Sequence, residues 1–155
     1  MSPAVLRKLL QSVRKGSTGV EAAMRSLRQM PFEDLGFAKV DHHRELRTGA
    51  PEVIYGPGKR RDDLVRIAKA IARRGQALLA TRLPEASAEA LMEALPAAVH
   101  HERAHAVTLA ARHGPRRRGR VAVLCAGTSD IPVAEEARLT ADLMGCRVDA
   151  HYDVG

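Results

Sequence analysis

Val121-Ala122-Val123-Leu124-Cys125 runs directly into Ala126-Gly127-Thr128-Ser129-Asp130 and then into Ile131-Pro132-Val133-Ala134-Glu135-Glu136-Ala137. The unbroken apolar run reads as a parallel strand buried on both faces. The small and hydroxyl residues after it read as a turn, and Pro132 suits the first turn of a helix. That helix is expected to reach about Met144, with Arg147 to Tyr152 opening a second strand. Residues 121–155 are therefore expected to form the opening βαβ of a parallel sheet. The turn has two readings. Its small residues let backbone N–H groups approach a phosphate, Thr128 and Ser129 can donate to it, and the helix dipole favours negative charge. Asp130 can accept from a ribose hydroxyl at the carboxyl end of a strand. The alternative is a plain helix start, capped by Ser129 or Asp130.

Upstream, Val5, Leu6, Leu9, Leu10 and Val13 recur at helical spacing, so residues 3–14 read as an amphipathic helix stopped near Gly16. Ser17 or Thr18 is expected to cap a second helix through about Gln29, ended by Pro31. Phe32 to Pro51 reads as a loop-rich connection with a short strand near Ala38 to Asp41. Glu52 to Tyr55 is a strand closed by Gly56-Pro57-Gly58. A helix from Asp62 or Asp63 to Arg74, an apolar run from Ala77 to Arg82 and a helix from Ser87 to Leu95 capped by Ser87 follow. Val99 to Ala110 fits a strand or a helix. The alternation of strands and helices predicts a small N-terminal α/β domain over 1–115, a basic linker at 116–120 and the incomplete parallel-sheet unit over 121–155.

The length of 155 residues fits about one domain and a fraction. With 45% hydrophobic and 28% charged residues, collagen-like, disordered and disulfide-scaffold classes are excluded. Aromatics are 3% with no Trp, which leaves little for base-stacking platforms. No apolar run approaches the roughly 18–20 residues of a membrane span and no leader pattern is present, so a cytoplasmic location is expected. Cys125 and Cys146 sit in segments that read as buried and are expected to be reduced. The formal charge of +7 divides unevenly: residues 121–155 carry −4, leaving +11 on residues 1–120.

Four other strings carry possible chemistry. His101-Glu102-Arg103-Ala104-His105 matches the zincin spacing, but no third ligand is well placed and the β-branched neighbours argue against a helix. Gly56-Pro57-Gly58-Lys59 fails the Walker pattern, because Val53 and Arg60 stand where Gly and Ser or Thr are needed; a strand-to-helix turn or an anion contact remains. His42 and His43, beside Asp41 and Glu45, are metal candidates in a segment that otherwise reads as a solvated loop. Arg116-Arg117-Arg118-Gly119-Arg120 has the charge for nucleic acid without interleaved aromatics, so nucleic acid is not the expected partner. No metal ligand set is assigned.

Three segments carry a family resemblance: Gly36-Phe37-Ala38-Lys39-Val40-Asp41-His42-His43-Arg44; Pro51-Glu52-Val53-Ile54-Tyr55-Gly56 with Gly58-Lys59; and the strand–turn–helix from Val121 to Ala137. Together, in this order, they resemble LarB, the pyridinium-3,5-biscarboxylic acid mononucleotide synthase of nickel-pincer cofactor biosynthesis. The resemblance implies a catalytic domain similar to aminoimidazole ribonucleotide carboxylase, assembled as a homo-octamer. It implies carboxylation of the pyridinium ring of nicotinic acid adenine dinucleotide by CO2 or bicarbonate, with hydrolysis of the phosphoanhydride to release AMP. A cysteine adds to the ring in that chemistry, and Mg2+ assists at the pyrophosphate. Matched residue by residue, Gly127, Thr128, Ser129 and Asp130 fall on the loop that binds the ribose phosphate. Asp153, ahead of Tyr152, falls at the substrate edge. The nucleophile is expected beyond residue 155, at neither Cys125 nor Cys146, so the chain reads as truncated after the first strands of that domain and inactive by itself. A reading from another class makes it a basic nucleic-acid or protein interaction module.

Overall fold

The computed structural model describes residues 3–28, 32–42, 44, 48, 50–111 and 119–155. Helices α1 (Pro3–Arg14) and α2 (Val20–Arg28) form a hairpin. Strands β1 (Phe32–Asp34) and β2 (Lys39–Asp41) pair antiparallel. Then come β3 (Val53–Tyr55), α3 (Arg61–Arg73), β4 (Leu78–Thr81), α4 (Glu85–Ala94), β5 (Val99–His101) and β6 (Ala106–Leu109). Last are β7 (Gly119–Cys125), α5 (Ile131–Leu143) and β8 (Cys146–Tyr152). The chain is thus mixed α/β, as its alternating pattern predicts.

The central sheet has the order β3-β4-β6-β5. β3 and β4 run parallel, whereas β6 is antiparallel to both of its neighbours. β4 shows why its four residues are all apolar or small and all buried. Leu78 and Ala80 point into a core with Leu64, Ile67, Ala68 and Ile71 of α3 and Leu91 of α4. Leu79, on the opposite face, packs with Ala104, Ala106 and Leu139 of α5, with Leu143 beside them. A strand covered on both sides has no solvent face to mark with polar residues. Helix α5 therefore has two jobs: it lies on the β7–β8 pair and also closes the second face of the N-terminal sheet.

Several local expectations change. Val99–Ala110 is a hairpin, with a 3-10 turn at Glu102–Ala104 between β5 and β6. Strand β1 goes unrecognised in the sequence because Glu33 and Asp34 have low strand preference; Leu35 N donates to Ala38 O at 2.9 Å to close the turn. Val20 rather than Ser17 or Thr18 opens α2, and the Ser17 hydroxyl instead bonds Ser12 O at the end of α1. Pro84, not Ser87, occupies the cap position of α4, so Ser87 lies buried in the first turn. Gly119 and Arg120 are strand residues, while 112–118, with most of the expected linker, lie outside the described residues.

The largest correction concerns β7. It pairs in parallel with β8 over Gly119↔Cys146 to Cys125↔Tyr152, but it is not buried on both faces: Leu124 is 63% exposed. One neighbouring strand and one covering helix shield only one side. Cys125 and Cys146 are accordingly half-buried, and both are free thiols. They sit at opposite ends of this strand pair, too far apart to bridge.

Candidate functional site

Because β7 and β8 are parallel and in register, their carboxyl ends finish side by side, and Val154 N donates to Cys125 O at 3.2 Å across the gap. This is where parallel α/β units place ligands. Gly127, Thr128, Ser129 and Asp130 leave the end of β7 and enter α5 through a single 3-10 turn, with Asp130 N bonded to Gly127 O at 3.1 Å. Tyr152 and Asp153 leave the end of β8. The two segments singled out in the sequence are therefore neighbours.

The capping alternative for this turn finds no support. Asp130 is the residue before α5, yet no side chain makes a capping hydrogen bond there. The N–H groups of Asp130 and Ile131 are already bonded to Gly127 O and Thr128 O, and Pro132 has none, so what the start of α5 offers is the positive end of the helix dipole with no side-chain cap from Asp130. Asp130 and Asp153 form no ion pair among the described residues. Asp153 sits at φ +58, the left-handed region that a non-glycine residue rarely adopts. Its carboxylate ends β8 beside the turn.

Tyr152 has a different role from Asp153. Its hydroxyl donates to Glu135 Oε1 in α5, and Glu135 is gripped by Arg138, whose Nη2 and Nε lie 2.8 and 3.1 Å from Oε2. The Arg138 guanidinium holds the Glu135 carboxyl below its ordinary range, against the opposing effect of burial. Burial first and the Glu135 bond second raise the Tyr152 phenol. The phenol is thus a tether that fixes the end of β8 to α5. The i, i+3 spacing of Glu135 and Arg138 is the sequence signal for this pair; nothing local points to Tyr152.

Other candidates separate cleanly. His101 lies in β5 with Nε2 2.8 Å from Thr108 Oγ1, and burial lowers its pKa. His105 lies beyond the 3-10 turn at φ +47. The two do not share a helix face, so the zincin reading fails. His42 is buried rather than solvated: Nδ1 lies 2.8 Å from Gln76 Oε1 and Nε2 3.0 Å from Glu33 Oε2, while Gln76 Nε2 donates to His42 O at 3.2 Å. Both ring nitrogens are engaged, leaving no lone pair for a metal. His43 and Glu45 lie outside the described residues, among which no group of three or more His, Cys, Asp or Glu residues forms a metal site. Lys59, Arg60 and Arg61 are exposed around a tight turn, with Lys59 N on Gly56 O at 3.1 Å. Arg120 is paired with Asp149 at 2.9 Å, and Arg116 to Arg118 lie outside the described residues. No described helix is long and apolar enough to cross a membrane.

Comparison with known proteins places these observations. A family model described as the LarB/PurE-like N-terminal domain matches residues 32–112. An uncharacterized protein of Methanocaldococcus jannaschii is 30% identical over 159 aligned positions, covering 97% of this chain and 61% of that protein. Such coverage carries the similarity past residue 112 into the strand–turn–helix–strand that bears the site. The chain spans about three-fifths of the length of that relative.

Proposed function

The chain belongs to the LarB/PurE-like N-terminal domain family, and from that premise we propose that it serves a LarB-type synthase of nickel-pincer cofactor biosynthesis. The reaction is carboxylation of the pyridinium ring of nicotinic acid adenine dinucleotide by CO2 or bicarbonate. Hydrolysis of the phosphoanhydride accompanies it, giving pyridinium-3,5-biscarboxylic acid mononucleotide and AMP. The observation that carries the proposal is the convergence of the positive end of α5, Gly127 to Asp130 and Asp153 at the joined ends of β7 and β8.

In this reading the N–H groups of the turn, the α5 dipole and the hydroxyls of Thr128 and Ser129 hold the ribose phosphate. Asp130 and Asp153 accept from the ribose hydroxyls. Tyr152 orients the end of β8 through Glu135 rather than touching substrate. A cysteine outside these 155 residues supplies the nucleophile, whose addition to the ring cancels its positive charge and makes it reactive toward CO2. Mg2+ normally keeps several waters and binds through one or two carboxylates plus substrate phosphates. The donors here fit that mode and no protein cage: Asp130 would hold the ion, which would neutralise charge on the pyrophosphate. The working enzyme is proposed to be a cytoplasmic homo-octamer.

Titrating the 155-residue chain with nicotinic acid mononucleotide by calorimetry tests the reading. Replacing Thr128 and Ser129 together by Ala removes two hydrogen bonds to a charged group, each worth about 1.5–3 kcal/mol, so affinity should fall at least ~10-fold. Equal binding by parent and variant refutes the assignment of this loop. The 155-residue chain itself is expected not to carboxylate the dinucleotide, and turnover would refute the placement of the nucleophile.

A further inference from the structure

The rear of α5 packs closely on the N-terminal unit, and its head stands off from it. Leu139, with Leu143 beside it, is buried against Leu79, Ala104 and Ala106. Nearer the start of the helix, Pro132 and Val133 face Leu83 and Pro84 across an apolar cleft of about 350 Å3, and Val133 is 61% exposed there. Arg82 and Glu136 span this gap at its rim, with Arg82 Nε donating to Glu136 Oε2 at 3.3 Å. Glu136 lies close behind the turn that leads into α5, so this pair links the head of the helix to the end of β4.

Arg82 is held where an arginine is costly. Directly after β4 it has φ +53, in the left-handed region that glycine or asparagine enters at less cost. Bonds on both sides keep it there: Gly56 N donates to Thr81 O at 2.9 Å, and Leu83 N donates to His105 O at 2.8 Å. Gly56 comes this close only because it has no Cβ, which would lie 2.8 Å from Thr81 O and 2.9 Å from Arg82 O. The backbone therefore fixes the direction in which the side chain leaves, and the guanidinium passes the Tyr55 ring, 5.8 Å from its centroid, to reach Glu136. With the Arg82 side chain 55% exposed, the ion pair returns less than the left-handed conformation costs. Net stability does not account for an arginine at this position; what its guanidinium holds does.

The neighbouring glutamate is held as well. Glu135 accepts from Arg138 and from the Tyr152 hydroxyl at the end of β8, so consecutive residues of α5 are tied to the ends of two strands, β8 and β4, in two different sheets. We infer that Arg82 is a positioning residue: through Glu136 it fixes the head of α5, and so the turn at Gly127 to Asp130, against the N-terminal unit, without touching a ligand itself. Glu135 and Tyr152 set Asp153 against the same helix from the other side. For ligand binding this rests on the reading above, and it gives the N-terminal unit a share in that site.

Arg82→Asn removes the charge and keeps a residue that accepts the left-handed conformation, so it should fold at least as well as the parent. In the 155-residue chain, Arg82→Asn and Glu136→Gln are each expected to speed amide exchange at Asp130 and Ile131 by ~3-fold while exchange in β4 stays unchanged. The double variant should do no more than either single one, and Arg82→Lys should return toward the parent rate. With nicotinic acid mononucleotide as the probe, calorimetry should show affinity lowered by the same factor of ~3 in Arg82→Asn and recovered in Arg82→Lys. Parent-like exchange at Asp130 and Ile131 in both single variants, faster exchange spread through β4, additive effects in the double variant, no recovery in Arg82→Lys, or undiminished affinity where the parent binds the mononucleotide overturns the inference. A parent chain that does not bind the mononucleotide refutes the loop assignment, and the exchange rates then decide the positioning role by themselves. If the mononucleotide binds through Thr128 and Ser129 while Arg82→Asn changes neither exchange nor affinity, the positioning role falls alone.

Discussion

Leu139→Ala tests the packing of α5 against the N-terminal sheet. Leu139 is 4% exposed and packs from α5 onto Leu79, Ala104 and Ala106 of the N-terminal unit. Truncation removes three carbon groups at about 0.8 kcal/mol each, or about 2.4 kcal/mol of lost burial. The void adds a further term, moderated because Leu143, partly buried beside it, can move in, so the total is about 3–4 kcal/mol. For a chain of this size the loss lowers Tm by roughly 6–16 °C. Urea unfolding followed by circular dichroism measures it, with Val133→Ala as a control expected within about 0.5 kcal/mol because that side chain is 61% exposed. Leu79→Ala alone should also destabilise, and the double variant should cost less than the two singles together by at least about 0.5 kcal/mol, since both empty one cluster. A Leu139→Ala protein as stable as the parent, or strict additivity with Leu79→Ala, would refute the docking of α5 on the β4 face.

Three further outcomes follow from local geometry. Gly56→Ala drives a Cβ into two backbone carbonyls and the Leu83 methyl and should cost about 1–3 kcal/mol; Gly58→Ala meets no atom within 4 Å but has φ +77 and should cost only about 1 kcal/mol, an order that denaturant midpoints would reveal. In a Tyr55→Phe background, which leaves Tyr152 as the only tyrosine, absorbance at the phenolate band should titrate above the ordinary tyrosine range, and Glu135→Gln should bring it partly back while burial keeps the rest. Glu135 has its pKa lowered in the folded chain, so its contribution is fully present above the ordinary glutamate pKa of about 4.3 and disappears as pH falls through the lower folded value; the stability gap between parent and Glu135→Gln should be widest near neutrality and close in acid.

What the sequence discloses is periodicity within single elements. α1, α2 and α3 are legible because apolar residues recur on one face, and β7 and β8 are legible as extended runs. What it conceals is which surfaces meet. The run Val121 to Cys125 has the composition of a doubly covered strand, yet in these residues one side lacks a cover, so Leu124 stands exposed. β4 is the converse: nothing in Leu78-Leu79-Ala80-Thr81 says that its second cover is a helix more than fifty residues later. His101-Glu102-Arg103-Ala104-His105 misleads because spacing implies a shared face only on a helix, and a 3-10 turn intervenes. The turn at 127–130 is legible as a strand-to-helix connection because its small and hydroxyl residues act locally. Arg82 and Glu136, 54 positions apart, and the buried trio of Glu33, His42 and Gln76 have no local signature.

The division of charge acquires a structural meaning at the site. Of the six acidic residues in 121–155, Glu135 is held by Arg138, Asp149 by Arg120 and Glu136 by Arg82. The last two of these join a carboxylate of residues 121–155 to an arginine of residues 1–120, so the two halves of the +7 chain are partly neutralised against each other. Among the described residues, Asp130, Asp142 and Asp153 form no ion pair, and two of these three stand at the joined ends of β7 and β8. A carboxylate without a cationic partner at a helix start is stabilised by the dipole. It keeps its oxygens for a sugar hydroxyl or a hydrated cation instead of spending them on a salt bridge. For the proposed nucleotide site, pairing elsewhere leaves the carboxylates here open, because a guanidinium already fixed on Asp130 or Asp153 would compete with a ribose for the same lone pairs.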